Sequence, residues 1–191
     1  MKKTMFLGLM VMLTLSFAVE LPTSGPEWGV FRQTACQGFS AWIQAIGVMY
    51  EVPYFVWDEE CYVPRMPYSD GELCYTICGE EGLWGYYDYI HWVCEEEYGP
   101  QSSECQNAKR GFYSAAKEAR GMFSITKSAH LSFARQALYA NYGLGECETD
   151  VEDVIDVIMY SNMAYRECMA EDSEDFFGFL DEFCGMCRES A

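Results

Sequence analysis

Residues 149–168, TDVEDVIDVIMYSNMAYREC, decide the fold class of this chain. Thr149, with Glu152 three residues later, forms a capping box that marks the start of a helix. Asp150 and Glu152 carry negative charge in the first turn, where the helix dipole favours it. The apolar residues that follow recur at helical spacing on one face: Val151, Val154, Ile155, Ile158 and Tyr165. The stretch therefore predicts an amphipathic helix that buries one face in a core.

The last part of the chain repeats this pattern in the segment DSEDFFGFLDEFCGMC, residues 172–187. Asp172 or Ser173 is placed to start a helix. One stripe of that helix holds Phe176, Leu180, Phe183 and Cys187. Two amphipathic helices in succession favour a bundle whose apolar faces meet.

Helical periodicity also appears in the first half of the chain, from Cys36 to Tyr50, and Pro53 ends that helix because it lacks an amide donor. We further predict a helical turn over 73–78 and a helix over 83–97 that ends before Gly99-Pro100.

The longest predicted helix runs from about Glu104 to Tyr142. Ser103, with Gln106 three residues later, resembles a second capping box at its start. Gly121 costs about 1 kcal/mol relative to alanine inside a helix, so we expect a break near this residue.

Between these helices the chain reads as irregular. Residues 19–35 contain several prolines and glycines and predict an extended lead-in. Residues 54–72 are rich in turn-forming residues and predict an aromatic-rich irregular insert, with a short strand at 54–57. The predicted fold class is mainly α: a disulfide-rich bundle of about five or six helices, in a single domain over residues 36–191.

The first 18 residues have the features of a secretory signal peptide. Lys2 and Lys3 precede an apolar run over 5–17, and small residues at Ser16 and Ala18 suit cleavage after Ala18. The run is shorter than the roughly 20 residues that span a bilayer. We therefore expect a secreted, extracellular protein.

The chain contains ten cysteines, an even number. Behind a signal peptide, an even number of cysteines indicates a disulfide framework, here of five bridges, and the sequence leaves their pairing open. The ten are Cys36, Cys61, Cys74, Cys78, Cys94, Cys105, Cys147, Cys168, Cys184 and Cys187.

One pair of cysteines has the Cys-x-x-Cys spacing of a dithiol redox centre, Cys184 and Cys187. Asp181 and Glu182 precede the pair at the negative end of a predicted helix, and both features disfavour a thiolate. We therefore predict structural bridges here. Cys74 and Cys78 stand four residues apart, so each should bridge to another element and not to its neighbour.

Charge is strongly negative: 30 acidic against 12 basic residues give −18, and −20 once Lys2 and Lys3 are removed with the signal peptide. Such a surface repels nucleic acid and disfavours contact with anionic membranes. Six bases nevertheless fall within about a 100° arc of the long helix. They are Lys109, Arg110, Lys117, Arg120, Lys127 and Arg135. An anionic partner would explain this face, but we favour internal neutralisation by acidic neighbours.

Catalytic and metal-binding motifs are missing from the sequence, which has no H-E-x-x-H, G-x-S-x-G, Walker or EF-hand spacing. The two histidines, His91 and His130, lie outside any motif, and we predict that His91 is packed and hydrogen-bonded. Acidic clusters at 58–60, 95–97 and 171–175 suit weak calcium binding only. We expect no cofactor and lean against an enzyme, although a catalytic site assembled only in three dimensions stays open.

Aromatic residues are concentrated at 50–92 and suggest a binding role. Rings with polar tips suit ligand pockets, although they equally suit a core. The candidate ligand residues are Trp57, Trp84, Tyr86, Tyr87, Tyr89 and Trp92. Our leading hypothesis is a secreted non-enzymatic binding protein with an aromatic-lined pocket between helices for a small apolar ligand, a glycan or a protein. The alternatives are an acidic matrix or mineral-associated protein and a secreted toxin whose basic helix contacts membranes.

Overall fold

A computed structural model describes residues 22–50, 68–139, 142 and 151–189. Regular structure in these ranges is entirely helical, and it confirms the predicted mainly-α, disulfide-rich fold class. The elements in chain order are α1 Pro26–Tyr50, α2 Asp70–Cys78, α3 Leu83–Asp88, a π-helical turn Tyr89–Cys94, α4 Glu95–Glu97, α5 Ser103–Tyr139, α6 Val151–Ala170 and α7 Ser173–Glu189. The strand predicted at 54–57 lies outside the described residues.

Helix α1 lies at the centre and packs against α2, α3, α5 and α6. Two of its glycines allow this close approach. A Cβ atom at Gly38 would lie 2.7 Å from side-chain atoms of Ile77 and Phe123, and one at Gly47 would lie 2.8 Å from Val157. Because these two glycines have no side chain, α2, α5 and α6 can approach α1 closely.

The predicted extended lead-in over 19–35 is wrong for its second half, because α1 already begins at Pro26. Proline suits the first helical position, where its missing amide proton would have no partner and its fixed φ is already helical. Gly25, with a φ of +96°, makes the turn before it. Gly25 and Pro26, which suggested an extended segment, therefore mark the start of the helix.

Aromatic side chains fill the contact between α1, α3 and α7. Phe31 stacks on Tyr87, with ring centroids 4.3 Å apart, and Trp28 meets Phe176 edge to face at 5.3 Å. The predicted α7 stripe is confirmed, since all of its members are buried: Phe176, Leu180, Phe183 and Cys187. The aromatic excess in the sequence thus serves the core to a large extent.

Two disulfides join α2 to α7 as neighbouring rungs, Cys74–Cys187 and Cys78–Cys184. The two cysteines of the Cys-x-x-Cys pair therefore bond to α2 and not to each other, as predicted for a structural role. Cys36–Cys168 joins α1 to α6, and Cys94–Cys105 joins the π-helical turn to α5. Cys61 and Cys147 lie outside the described residues.

Helix α5 runs without a break through Gly121, contrary to our prediction. Gly121 faces open space, and its neighbours Ala119 and Phe123 are buried on the opposite side, so packing of that face outweighs the cost of one glycine. Its N-terminal cap is also one residue earlier than predicted. The hydroxyl of Ser102 accepts from the Cys105 amide at 3.1 Å, whereas Ser103 donates to Glu104.

Helix α6 follows the predicted stripe with one correction. Val154 is buried and Ile158 packs against the core, but Ile155 is 38% exposed. Val157 and Ser161 are buried instead, which rotates the inward face slightly from the one read off the sequence. The predicted cap residue Thr149 lies outside the described residues.

Candidate functional site

A layer of buried polar side chains lies where α1, α5 and α6 meet. Polar groups without partners are costly to bury, so such a layer needs hydrogen bonds within the protein. Five polar residues of the described chain are no more than 2% exposed: Thr34, Gln44, Thr126, His130 and Ser161. All five belong to these three helices.

Gln44 connects the three helices through its side-chain amide. Its Nε2 atom donates to Ser161 Oγ at 2.7 Å, and its Oε1 atom lies 3.2 Å from His130 Nδ1. Ser161 in turn donates to the Ile158 carbonyl at 2.9 Å, and Ser40 donates to the Ser161 carbonyl at 2.8 Å. This network fixes the floor of the cleft described next.

Above this network lies a cleft of about 520 Å³ between α1, α5 and α6. That volume falls within the range of small-molecule sites. The lining side chains are Gln37, Ser40, Ala41, Gln44, Arg120, Phe123, Ser124, Lys127, Asn162 and Tyr165. We call this the polar cleft. Most of these side chains end in hydroxyl, amide or cationic groups, although apolar atoms make up slightly more than half of the exposed surface of the cleft.

Arg120 is held in place at the edge of the polar cleft by two contacts to α1. Its Nε atom donates to Thr34 Oγ1 at 3.3 Å, and Nη2 donates to Gln33 Oε1 at 3.2 Å. Both partners are neutral, so they orient the guanidinium without neutralising its charge. The charge of Arg120 is therefore available to a ligand.

A disulfide and hydrogen bonds tie together two of the helices that form the polar cleft, α1 and α6. The Cys36–Cys168 disulfide links α1 to α6 with a Cα–Cα distance of 5.7 Å. The hydrogen bonds of Gln44 and Ser40 cross the same contact. Sites built on fixed helices hold their geometry better than sites on loops.

His130 is buried below the polar cleft, with 1% of its surface exposed. Burial lowers the pKa of its imidazole to about 4, because the charged form loses its hydration. The ring is therefore neutral near pH 7.

His91, the other histidine, is packed as predicted, but neither of its buried ring nitrogens has a hydrogen-bond partner among the described residues, which contradicts the predicted hydrogen bond. Glu95 lies 4.0 Å away, and the ring packs beside Tyr87. Burial lowers the pKa of His91, and the nearby Glu95 opposes this shift.

None of the five predicted ligand aromatics that the structure describes lines the polar cleft. Tyr87 is fully buried in the core, and its hydroxyl donates to the Pro22 carbonyl. Trp84 packs 5.5 Å from Phe31 and borders a groove beside the α2–α7 disulfides. The others are dispersed: the Tyr86 ring packs where a side chain at Gly111 would lie, Tyr89 is 40% exposed, Trp92 is half-buried, and Trp57 lies outside the described residues.

The six bases of the predicted basic face lie on one continuous helix, α5. Only one of them forms ion pairs with acidic residues of the described chain. Lys109 pairs with Glu95 at 3.0 Å and Glu27 at 3.7 Å. The other bases form no ion pair with a described residue, and two of them, Arg120 and Lys127, line the polar cleft. Arg110, Lys117 and Arg135 are exposed elsewhere on the helix.

Metal binding finds no support in the part of the chain that the structure covers, where no group of three or more His, Cys, Asp or Glu side chains could hold an ion. Asp172, from one acidic cluster, instead caps α7 by accepting from the amides of Glu174 and Asp175, both at 3.0 Å. The cluster at 58–60 lies outside the described residues.

Sequence reasoning missed the polar cleft, although two signals pointed to it. Gln37 and Gln44 are seven residues apart in an uncharged helix, so they share a face. Ser161 interrupts the apolar stripe of α6. Polar residues on an otherwise apolar face indicate either a buried hydrogen-bond network or a site.

No protein-family model, curated protein or solved structure matches this chain. Among the described helices none is both long and apolar enough to span a bilayer.

Proposed function

We propose that the protein is a secreted, non-enzymatic binding protein whose ligand occupies the polar cleft between α1, α5 and α6. Secretion is supported by the signal-peptide pattern of residues 1–18 and by the four disulfides among the described residues, since disulfides persist in oxidising compartments. The observation that carries the binding role is a cleft of ligand-binding size, built on crosslinked helices over a hydrogen-bonded floor.

The chemistry of the site supports binding in preference to catalysis. Gln44 and Ser161 are engaged with each other, and Ser40 is engaged with a backbone carbonyl. His130 lies under the floor in its neutral form and contacts Gln44. These contacts make a stiff scaffold, and pre-organised sites gain affinity because little order is lost on binding.

This proposal changes the site that the sequence suggested and keeps the class of protein. Our sequence-based hypothesis placed a small apolar ligand, a glycan or a protein among Trp and Tyr side chains of residues 50–92. The polar cleft instead offers Ser124, Asn162 and Tyr165 as polar contacts. A ligand with polar or charged groups therefore fits better than a purely apolar one.

A thermal-shift screen against small metabolites tests the binding role. A ligand present at 100 times its dissociation constant should stabilise the fold by about 2.7 kcal/mol. The variant Ser124→Trp places a large ring in the polar cleft from an exposed helical position and should abolish that stabilisation. Ser128→Trp, one turn along the same exposed helix and outside the lining, should retain it.

The two tryptophan variants give opposite results only if the polar cleft is the site. Equal stabilisation of both variants would place the ligand elsewhere. A screen in which the wild-type protein responds to no compound would overturn the binding role.

A further inference from the structure

We infer that the ligand of the polar cleft is a small organic anion whose carboxylate or phosphate group binds Arg120 and Lys127. This inference rests on the proposed function and specifies the chemical class of the ligand. It is carried by the charge of the lining, the fixation of Arg120 and the apolar surface beside the two cations.

The charge of the lining is opposite to that of the protein. The whole chain has 30 acidic and 12 basic residues, yet the ten residues around the polar cleft include two bases and no carboxylate. A cleft that merely sampled this surface would be acidic. Two cations without carboxylate neighbours keep their attraction for an added anion.

The geometry of the two cations suits recognition of a single small molecule. Arg120 has five N–H donors in a planar fork, and the contacts to Thr34 and Gln33 use the Nε and Nη2 atoms. The remaining donors are left for a carboxylate or phosphate oxygen. Lys127 lies seven residues later, nearly two helical turns or about 10 Å along the same face. Its long flexible side chain can reach toward the group held by Arg120.

An apolar wall accompanies the charged groups. Phe123 is 4% exposed, and it lies beside Ala41 and the half-buried ring of Tyr165 in the lining. A ligand that places a carbon skeleton against this wall buries apolar surface while its anionic end meets the cations. A free inorganic anion would contact the two cations but would leave the apolar wall without a partner.

The overall charge also restricts the size of the ligand. A net charge of −18 repels extended polyanions such as nucleic acids and sulfated glycans over their full length. A compact ligand with one or two charges lies within the short range of Arg120 and Lys127 and is screened from the rest of the surface. The polar cleft therefore selects small anions.

Isothermal titration with three matched probes tests the class of ligand. Benzoate and phenyl phosphate carry a ring and an anionic group, and benzamide has the shape of benzoate without its charge. We expect at least one of the two anions to bind with a dissociation constant below about 10 mM and benzamide to bind at least tenfold more weakly, as loss of a charged hydrogen bond implies.

Two single substitutions and one matched control locate the charge. Lys127→Gln should weaken anion binding about tenfold or more, and Arg120→Gln should do the same. Lys117→Gln makes the same charge change on the same helix, at an exposed position outside the lining, and should leave affinity within about twofold. Lys127 is exposed, so its variant remains informative if Arg120→Gln lowers stability.

The outcomes separate the two proposals. Equal affinity for benzamide and benzoate, lost in Ser124→Trp, would overturn the anionic inference and leave the binding role standing. If Lys117→Gln and Lys127→Gln weakened anion binding equally, the loss of affinity would come from the change in overall charge and not from a contact in the cleft. That result would also overturn the inference. Failure of both anions to bind below about 10 mM would reject it directly.

Discussion

Removal of the Cys36–Cys168 disulfide should be among the most damaging single changes to stability, because this bridge closes a long loop. With the described α2–α7 bridges intact, the shortest covalent path between its ends runs through Cys74–Cys187. That path spans about 57 residues, 38 from 36 to 74 and 19 from 168 to 187, and its closure is worth about 4 kcal/mol by the loop-entropy relation.

A matched control comes from the neighbouring bridge Cys78–Cys184. With Cys74–Cys187 intact, it closes a loop of only about seven residues, four on α2 and three on α7, which is worth about 2 kcal/mol. Cys36 and Cys168 are also at most 2% exposed, so their replacement by alanine adds a cavity cost in the same direction. The first double alanine variant should therefore lose about 2 kcal/mol more than the second.

Guanidinium unfolding followed by circular dichroism, without reductant, measures this difference. The Cys36→Ala, Cys168→Ala protein should also show a larger denaturant slope, since its unfolded state is less constrained and exposes more surface. An equal loss in the two double variants, or a greater loss for the Cys78–Cys184 pair, would refute the reasoning from loop length.

Three further predictions concern single residues. The pKa of His130 is about 4 in the folded protein, against the ordinary histidine value of 6.5 in the unfolded chain, so the stabilisation due to the neutral ring is complete above pH 6.5 and is lost as the pH falls toward 4. Wild-type protein should thus lose about 3 kcal/mol more than His130→Gln between pH 7 and pH 4 in urea unfolding, and parallel pH profiles would contradict this. Gly121→Ala should raise stability by about 0.5–1 kcal/mol, because the position is helical and open, and a decrease in melting temperature would count against the continuous helix. Gly38→Ala should lower stability by about 1–3 kcal/mol through its clash with Ile77 and Phe123, and an unchanged urea midpoint would show that the helices can separate at little cost.

Local patterns in the sequence predicted much of the fold. The spacing of apolar residues identified α6 and α7, and Gly99, which has a φ of +83°, marked the end of the helical segment 83–97 as expected. The acidic surroundings of Cys184 and Cys187 indicated structural bridges, which the structure confirms. These features depend on neighbours within a few residues, so the sequence displays them directly.

Features that depend on distant partners were not predictable in the same way. The break expected at Gly121 does not occur, because burial of the opposite face stabilises α5. Gln44, which lines the polar cleft, is held by a hydrogen bond to the buried Ser161 although 117 residues separate them. Without knowledge of which helices pack together, a glutamine and a serine in apolar segments do not reveal a common site.

The most direct test of the account is residue-level mapping of ligand binding by NMR, with phenyl phosphate titrated into the isotope-labelled protein. We predict that the saturable shifts cluster at Gln37, Arg120, Ser124, Lys127 and Asn162, which belong to three different helices but surround one cleft. Shifts confined to the exposed bases Arg110, Lys117 and Arg135, or centred on Trp84 and Tyr89, would show that the polar cleft is not the binding site.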